Sequence, residues 1–168
     1  MSAESKHFSI PTQQPTKMKV FIVYAHPEPQ SLNGSLLKVT VDELEAQGHE
    51  VQVSDLYAME WKAQVDRADF QQVPPGARLK VGWASGEATL AGRLTEDVKR
   101  EQEKLVWADA VVLQFPLWWY GMPAILKGWV ERVFSLLFAF GFGEYNDAHT
   151  GATGTARASS WASAPCWS

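Results

Sequence analysis

A doubly wound α/β domain on a parallel sheet is the fold class this sequence predicts, and three features predict it. Two short runs, Val20-Phe21-Ile22-Val23-Tyr24-Ala25 and Ala110-Val111-Val112-Leu113-Gln114-Phe115, are almost uninterrupted apolar and β-favouring. That is the pattern of strands covered on both faces. Helical patterns with recognisable starts and stops stand beside them, giving the order strand, helix, strand, long connection, helix, strand, helix, which is that of βαβ units. With 46% of its 168 residues hydrophobic, the chain has apolar material for one core of this kind.

The elements follow in order. Residues 1–17 are polar, contain Pro11 and Pro15 and show no period, so a flexible tail is expected, with the folded domain over 18–149. After the first strand, Asn33 is expected to cap a helix on which Leu36, Leu37, Val41 and Leu44 are helically spaced, with Gly48 as its stop. Val51-Gln52-Val53 reads as a second strand. Residues 57–94, broken by Pro74-Pro75-Gly76 and several more glycines, predict a long, partly irregular connection with a short helical stretch over 65–70. Thr95 caps the next helix, with Glu96 and Asp97 at its positive end, Leu105 and Val106 anchoring its close, and Glu96 set to pair with Arg100 four residues on. Pro123 opens a further helix carrying Ile125, Trp129, Val133 and Leu137 as an i, i+4 stripe.

Composition narrows the function classes. A net charge of −4 and a pI of about 5.5 argue against a nucleic-acid partner, whose binders present a basic face. Cys166 is the single cysteine, so neither an intrachain disulfide nor a CxxC site exists. His7, His26, His49 and His149 show no metal-ligand spacing, and G-x-S-x-G does not occur. Glu4, Lys6 and His7 leave no apolar signal-peptide core, and the longest apolar run, residues 133–143, is well short of the roughly 20 residues that span a bilayer. A cytoplasmic address without a membrane span is the expectation.

In an open α/β sheet, ligands bind beyond the carboxyl ends of the strands. Two segments leave strands there. His26-Pro27-Glu28-Pro29-Gln30-Ser31-Leu32-Asn33 offers imidazole, amide and hydroxyl groups beside a helix start, which suits a phosphate or pyrophosphate, although Ser and Asn are equally common as plain caps. Neither G-x-G-x-x-G nor G-x-x-x-x-G-K-[ST] marks the chain. The second segment, Pro116-Leu117-Trp118-Trp119-Tyr120-Gly121, puts three large aromatics in one loop. Their flat faces suit a conjugated ring such as a flavin; the alternative is that they fill core or an interface.

Three blocks carry a resemblance. They are Ala25-His26-Pro27-Glu28 through Ser31 and Asn33, then Ser54-Asp55-Leu56-Tyr57-Ala58-Met59, then the long stretch from Gln114-Phe115-Pro116-Leu117-Trp118-Trp119-Tyr120-Gly121 to Arg132-Val133. Together they resemble the NAD(P)H:quinone oxidoreductase (DT-diaphorase) family over roughly residues 19–147. The resemblance implies a flavodoxin-like fold, bound FAD with FMN as the alternative, NAD(P)H as co-substrate, a quinone-like acceptor and a homodimer. It also implies that His26, Gln30, Ser31, Leu32 and Asn33 hold the flavin phosphate and ribityl part. Pro116, Leu117, Trp118, Trp119 and Tyr120 would line its ring, and Trp119, Tyr120, Phe140 and Phe142 would face the substrate. The flavin carries the redox chemistry, so no catalytic side chain is implied. His26 as a satisfied turn histidine and Glu131 as a solvated helix charge remain open as alternatives.

The family continues with a fourth strand, a Thr-Thr-Gly-Gly loop and a Tyr/His pair, and none of these follows here. Residues 150–168 contain one charged residue, Arg157, and neither period, so a tail foreign to the family is expected there, produced by a frame change or premature stop near codon 149. The strand order predicted for the remainder is 2-1-3, an incomplete flavodoxin-like sheet whose third strand is an apolar edge. Beside a quinone reductase stand two alternatives: a regulatory or ancillary subunit of the ion-efflux kind, and an inactive fragment.

Overall fold

The computed structural model describes residues 16–141. Within them the chain forms β1 (Lys19–Tyr24), α1 (Leu32–Ala46), β2 (Glu50–Asp55), one 3-10 turn (Arg67–Asp69), α2 (Val81–Leu90), α3 (Glu96–Trp107), β3 (Ala110–Gln114) and α4 (Ala124–Val133). The strands pair in parallel in the order β2-β1-β3. β1 lies in the middle with Phe21, Ile22 and Val23 fully buried, which is why its sequence is continuously apolar and does not alternate. Phe142, Cys166 and both predicted tails, except for residues 16 and 17, lie outside the described residues. Among the described residues no helix is long and apolar enough to cross a membrane.

The register sets Phe21 opposite Gln52 and Val111, and Val23 opposite Ser54 and Leu113, so these side chains share one face. The core gathers on that face. Phe21 and Val23 cluster with Val98, Leu126, Trp129 and Val133 of α3 and α4, and the Phe21 and Trp129 rings meet at 6.3 Å. Two polar knots are buried with them. Glu101 accepts from Ser54 Oγ at 3.0 Å, Lys104 Nζ at 2.7 Å and Trp129 Nε1 at 2.8 Å. The Arg132 guanidinium donates to Asp69 at 2.8 Å, to Asp97 at 2.6 Å, to Thr95 Oγ1 and to the Lys62 carbonyl, and it lies 4.7 Å over the Trp61 ring. Each charge is tolerable at that depth because its hydrogen-bonding capacity is used.

Several local expectations are corrected. Ser31, not Asn33, caps α1, accepting the Gly34 N–H at 3.1 Å. Thr95 occupies the cap position of α3 but makes no capping bond, because its hydroxyl is engaged by Arg132. Glu96 pairs with Lys99 at 2.8 Å, while Arg100 donates to the Glu96 backbone carbonyl. The α4 stripe stops at Val133, since the helix ends there and Leu137 takes a φ of 68°. The connection over 57–94 contains a complete helix, α2, whose buried residues are Ala84, Gly86 and Ala88. Gly86 packs closely beneath Leu136, where a Cβ would stand 2.9 Å from Leu136 Cδ2 and the leucine tip would have to shift.

The opposite face is thinly covered. α1 lies against β2 and buries no residue completely; Leu36 and Val39 are 50% and 63% exposed. Among the described residues β3 has a strand neighbour on one side only. Its consecutive residues Val112 and Leu113, which point to opposite faces, are both partly exposed, the open apolar edge that the 2-1-3 order predicts.

Candidate functional site

β1 and β3 are adjacent and parallel, so the loops that follow them leave the sheet at the same rim. Three contacts tie those loops together. The Ala25 N–H donates to the Gln114 carbonyl at 3.0 Å, Gln114 Nε2 donates to the Asn33 carbonyl at 2.6 Å, and the His26 imidazole lies against the Trp118 indole, centroids 6.0 Å apart and planes at 57°.

On the β1 side the geometry is set by a turn folded onto the start of α1. The Ser31 N–H donates to the Glu28 carbonyl at 3.2 Å, the Gln30 N–H to Glu28 Oε1 at 2.8 Å, and the Ser35 N–H to the Ser31 carbonyl at 2.9 Å. A Cβ at Gly34 would stand 1.9 Å from the Pro29 carbonyl oxygen, so only glycine lets the turn close this tightly. Among the described residues the Leu32 and Asn33 N–H groups have no partner, as the first turn of a helix leaves them, and they form a positive end suited to an anion. His26 Nδ1 lies 3.0 Å from both the backbone nitrogen and the carbonyl oxygen of Glu28. In the tautomer with its proton on Nε2, Nδ1 accepts the Glu28 N–H and Nε2 is left as a donor.

On the β3 side, Trp118 and Gly121 exchange both backbone hydrogen bonds, at 3.0 and 3.1 Å, closing a two-residue turn over Trp119 and Tyr120. Both residues are left-handed, with φ of 52° and 59°. This is the turn class in which Asn-Gly is favoured, and a side chain with a Cβ costs about 1–2 kcal/mol per residue there. Neither aromatic fills the core: Trp119 is 97% exposed and Tyr120 100%. Leu117 is exposed and Pro116 half-buried, while Trp118 is turned back onto His26. Strain and wet aromatic surface together, at the rim where an α/β sheet ordinarily binds ligands, make this turn the candidate site.

The rim therefore gathers His26, Gln30, Ser31, Leu32 and Asn33 on one lip and Pro116 to Tyr120 on the other. Phe140 is placed elsewhere. It lines a cavity of about 200 Å³ with Phe70, Ser85, Leu94, Arg132 and Leu136, among others, below the roughly 300 Å³ at which small-molecule sites begin. Glu131 is a solvated helix charge, paired with Lys127 at 2.5 Å. Two rim residues escaped the sequence reading. Gln114 carried a signal, a polar residue closing an apolar strand; Gly34, one position inside a helix, carried a weaker one.

The rim fits a flavin by its donor set: helix N–H groups for a phosphate, aromatic faces and loop N–H groups for a ring. The family described as the flavodoxin-like fold matches residues 18–161. The chain belongs to this flavodoxin-like family. It is 59% identical over 134 residues to a ribosyldihydronicotinamide dehydrogenase-like protein of Penicillium crustosum, covering 80% of this chain and 50% of that one. It is 47% identical over 131 residues to the ribosyldihydronicotinamide dehydrogenase [quinone] of Mus musculus, covering 77% and 57%. A candidate quinone reductase of Klebsiella pneumoniae superposes with a TM-score of 0.73 at 52% identity, covering 76% of this chain and 49% of that one. This flavodoxin-like chain thus spans about half the length of the curated relatives it matches, and the resemblance read from its three sequence blocks is to this same group of proteins.

Proposed function

We propose that this chain carries the flavin-binding lip of an NAD(P)H:quinone oxidoreductase, acting on a quinone or similar acceptor with FAD, or else FMN, as cofactor. The observation that carries the reading is the strained turn with Trp119 and Tyr120 wholly exposed beside the open start of α1. The names of the relatives support it. When bound, the flavin supplies the ring that takes a hydride from NAD(P)H and gives it to the acceptor. The chain's own groups bind and orient. The Leu32 and Asn33 N–H groups and His26 Nε2 hold the phosphate end. Trp119 and Tyr120 offer flat faces to ring and acceptor and exclude water from between them. The homodimer implied by the resemblance belongs to the same reading and is measured by sedimentation.

The test is titration of the purified protein with FAD and with FMN, followed by absorbance and flavin fluorescence, and then NAD(P)H-dependent reduction of menadione. A shifted flavin spectrum with turnover is expected. Unchanged flavin spectra would overturn the reading, and bound flavin without turnover would favour the ancillary-subunit alternative.

A further inference from the structure

Of the three consecutive aromatics in the turn, Trp118 behaves unlike its neighbours. Trp119 and Tyr120 stand in solvent, whereas Trp118 is 43% exposed and its indole packs on the His26 imidazole. Its backbone N–H and carbonyl are both used by Gly121, so the base from which the indole projects is fixed. The imidazole is held along one edge by the Glu28 backbone at Nδ1, and that same Glu28 carbonyl receives the N–H of Ser31, the cap of α1. A continuous line of contacts therefore runs from the β3 loop through Trp118, His26 and Glu28 to the helix start.

An imidazole on a loop has a broad preference about its second side-chain torsion. Here the Glu28 backbone engages Nδ1 and the indole lies against the ring, so in the tautomer with its proton on Nε2 that nitrogen is a donor in a set orientation. A donor held in its binding geometry before the ligand arrives loses less freedom on binding.

Resting on the flavin reading above, we propose that Trp118 is a positioning residue. It holds His26 as the donor to the phosphate end of the ligand, and it does not act as a stacking surface for the ring. Its effect on affinity then depends on the ligand's phosphate and passes through His26.

The experiment titrates the full chain with FMN and with riboflavin, which share the ring and differ by the phosphate, using the parent protein, Trp118→Ala, Trp118→Phe, His26→Ala and the Trp118→Ala/His26→Ala pair. Urea midpoints are measured alongside to verify folding. We expect Trp118→Ala to weaken FMN by about tenfold and riboflavin by less than about twofold, Trp118→Phe to restore most of the loss, and Trp118→Ala to cost nothing further once His26 is Ala. Equal weakening of FMN and riboflavin would overturn the proposal in favour of ring stacking, and additive losses in the double variant would overturn it because the effect then bypasses His26. In both cases the flavin reading survives. Failure of the parent protein to bind either ligand would remove both.

Discussion

Trp129 and Trp119 sit in the same molecule under opposite rules. Trp129, on α4, is fully buried against Phe21 of β1, with its Nε1 donating to Glu101 of α3. Trp119 is 97% exposed in a left-handed backbone conformation. The same contrast holds for the charges: Arg132 spends its guanidinium on Asp69, Asp97, Thr95 and a carbonyl, while the rim keeps helix N–H groups unpartnered. The buried polar knots stabilise one region, while the other combines consecutive left-handed aromatics with unpartnered helix N–H groups. Left-handed backbone also occurs singly at Glu60 and Leu137, but two consecutive left-handed aromatics, both wholly exposed, occur among the described residues only at the rim, which is what makes the rim the candidate binding site.

The largest expected effect tests the satisfied region. Arg132→Met strips Asp69, which is buried, of its principal partner. Lys62 still stands 3.1 Å from Asp69, so the loss belongs at the lower end of the range for a broken buried pair, about 3 kcal/mol in a urea melt. An unchanged midpoint would mean that the knot contributes nothing.

Next comes a change of opposite sign at the rim. Replacing Trp119 with Asn and Tyr120 with Gly supplies the residues that this turn class favours, so stability should rise by about 2 kcal/mol as flavin affinity falls. Stability and binding moving together would erase the contrast between the regions.

The smallest effect is a pH slope. Burial pushes the Asp97 carboxyl up, but hydrogen bonds from Arg132 and Thr95 outweigh it and hold the group below its ordinary value. A carboxyl depressed by folding stabilises the native state above the unfolded-state pKa, about 3.9, and that contribution is lost as pH falls through the folded value. Asp97→Asn should therefore be less stable than the parent near neutrality, with the two curves converging as acid is added. Parallel curves would show that Asp97 is not the titrating group.

Much of this was legible in the residues. β1 and β3 are legible as strands because a short, nearly uninterrupted apolar run is a local signal, although only β1 is buried on both faces here. α2 is not legible in this way. Gly82, Ser85 and Gly86 dilute its period, and its helix is held by close packing of Gly86 against Leu136, a residue 50 positions away. The burial of Glu101, Gln102 and Arg132 has no local signal, since nothing nearby announces that Ser54, Trp129, Val133, Asp69 and Asp97 will surround them. The loop at 116–121 was visible from its bracketing Pro116 and Gly121, but the left-handed Trp119 and Tyr120 were not, because bulky residues seldom occupy that turn.

By itself, then, the order of residues determined the strands, the two loops that leave them and the aromatic character of one loop, which follow from periodicity and short-range chemistry, while the strand order was implied by the family resemblance. Tertiary structure alone decided which charges are buried, and that Trp118 packs against His26 while its two neighbours face solvent. Those choices depend on partners distant in the chain, whose hydrogen bonds and close contacts outweigh the local preference of any single residue.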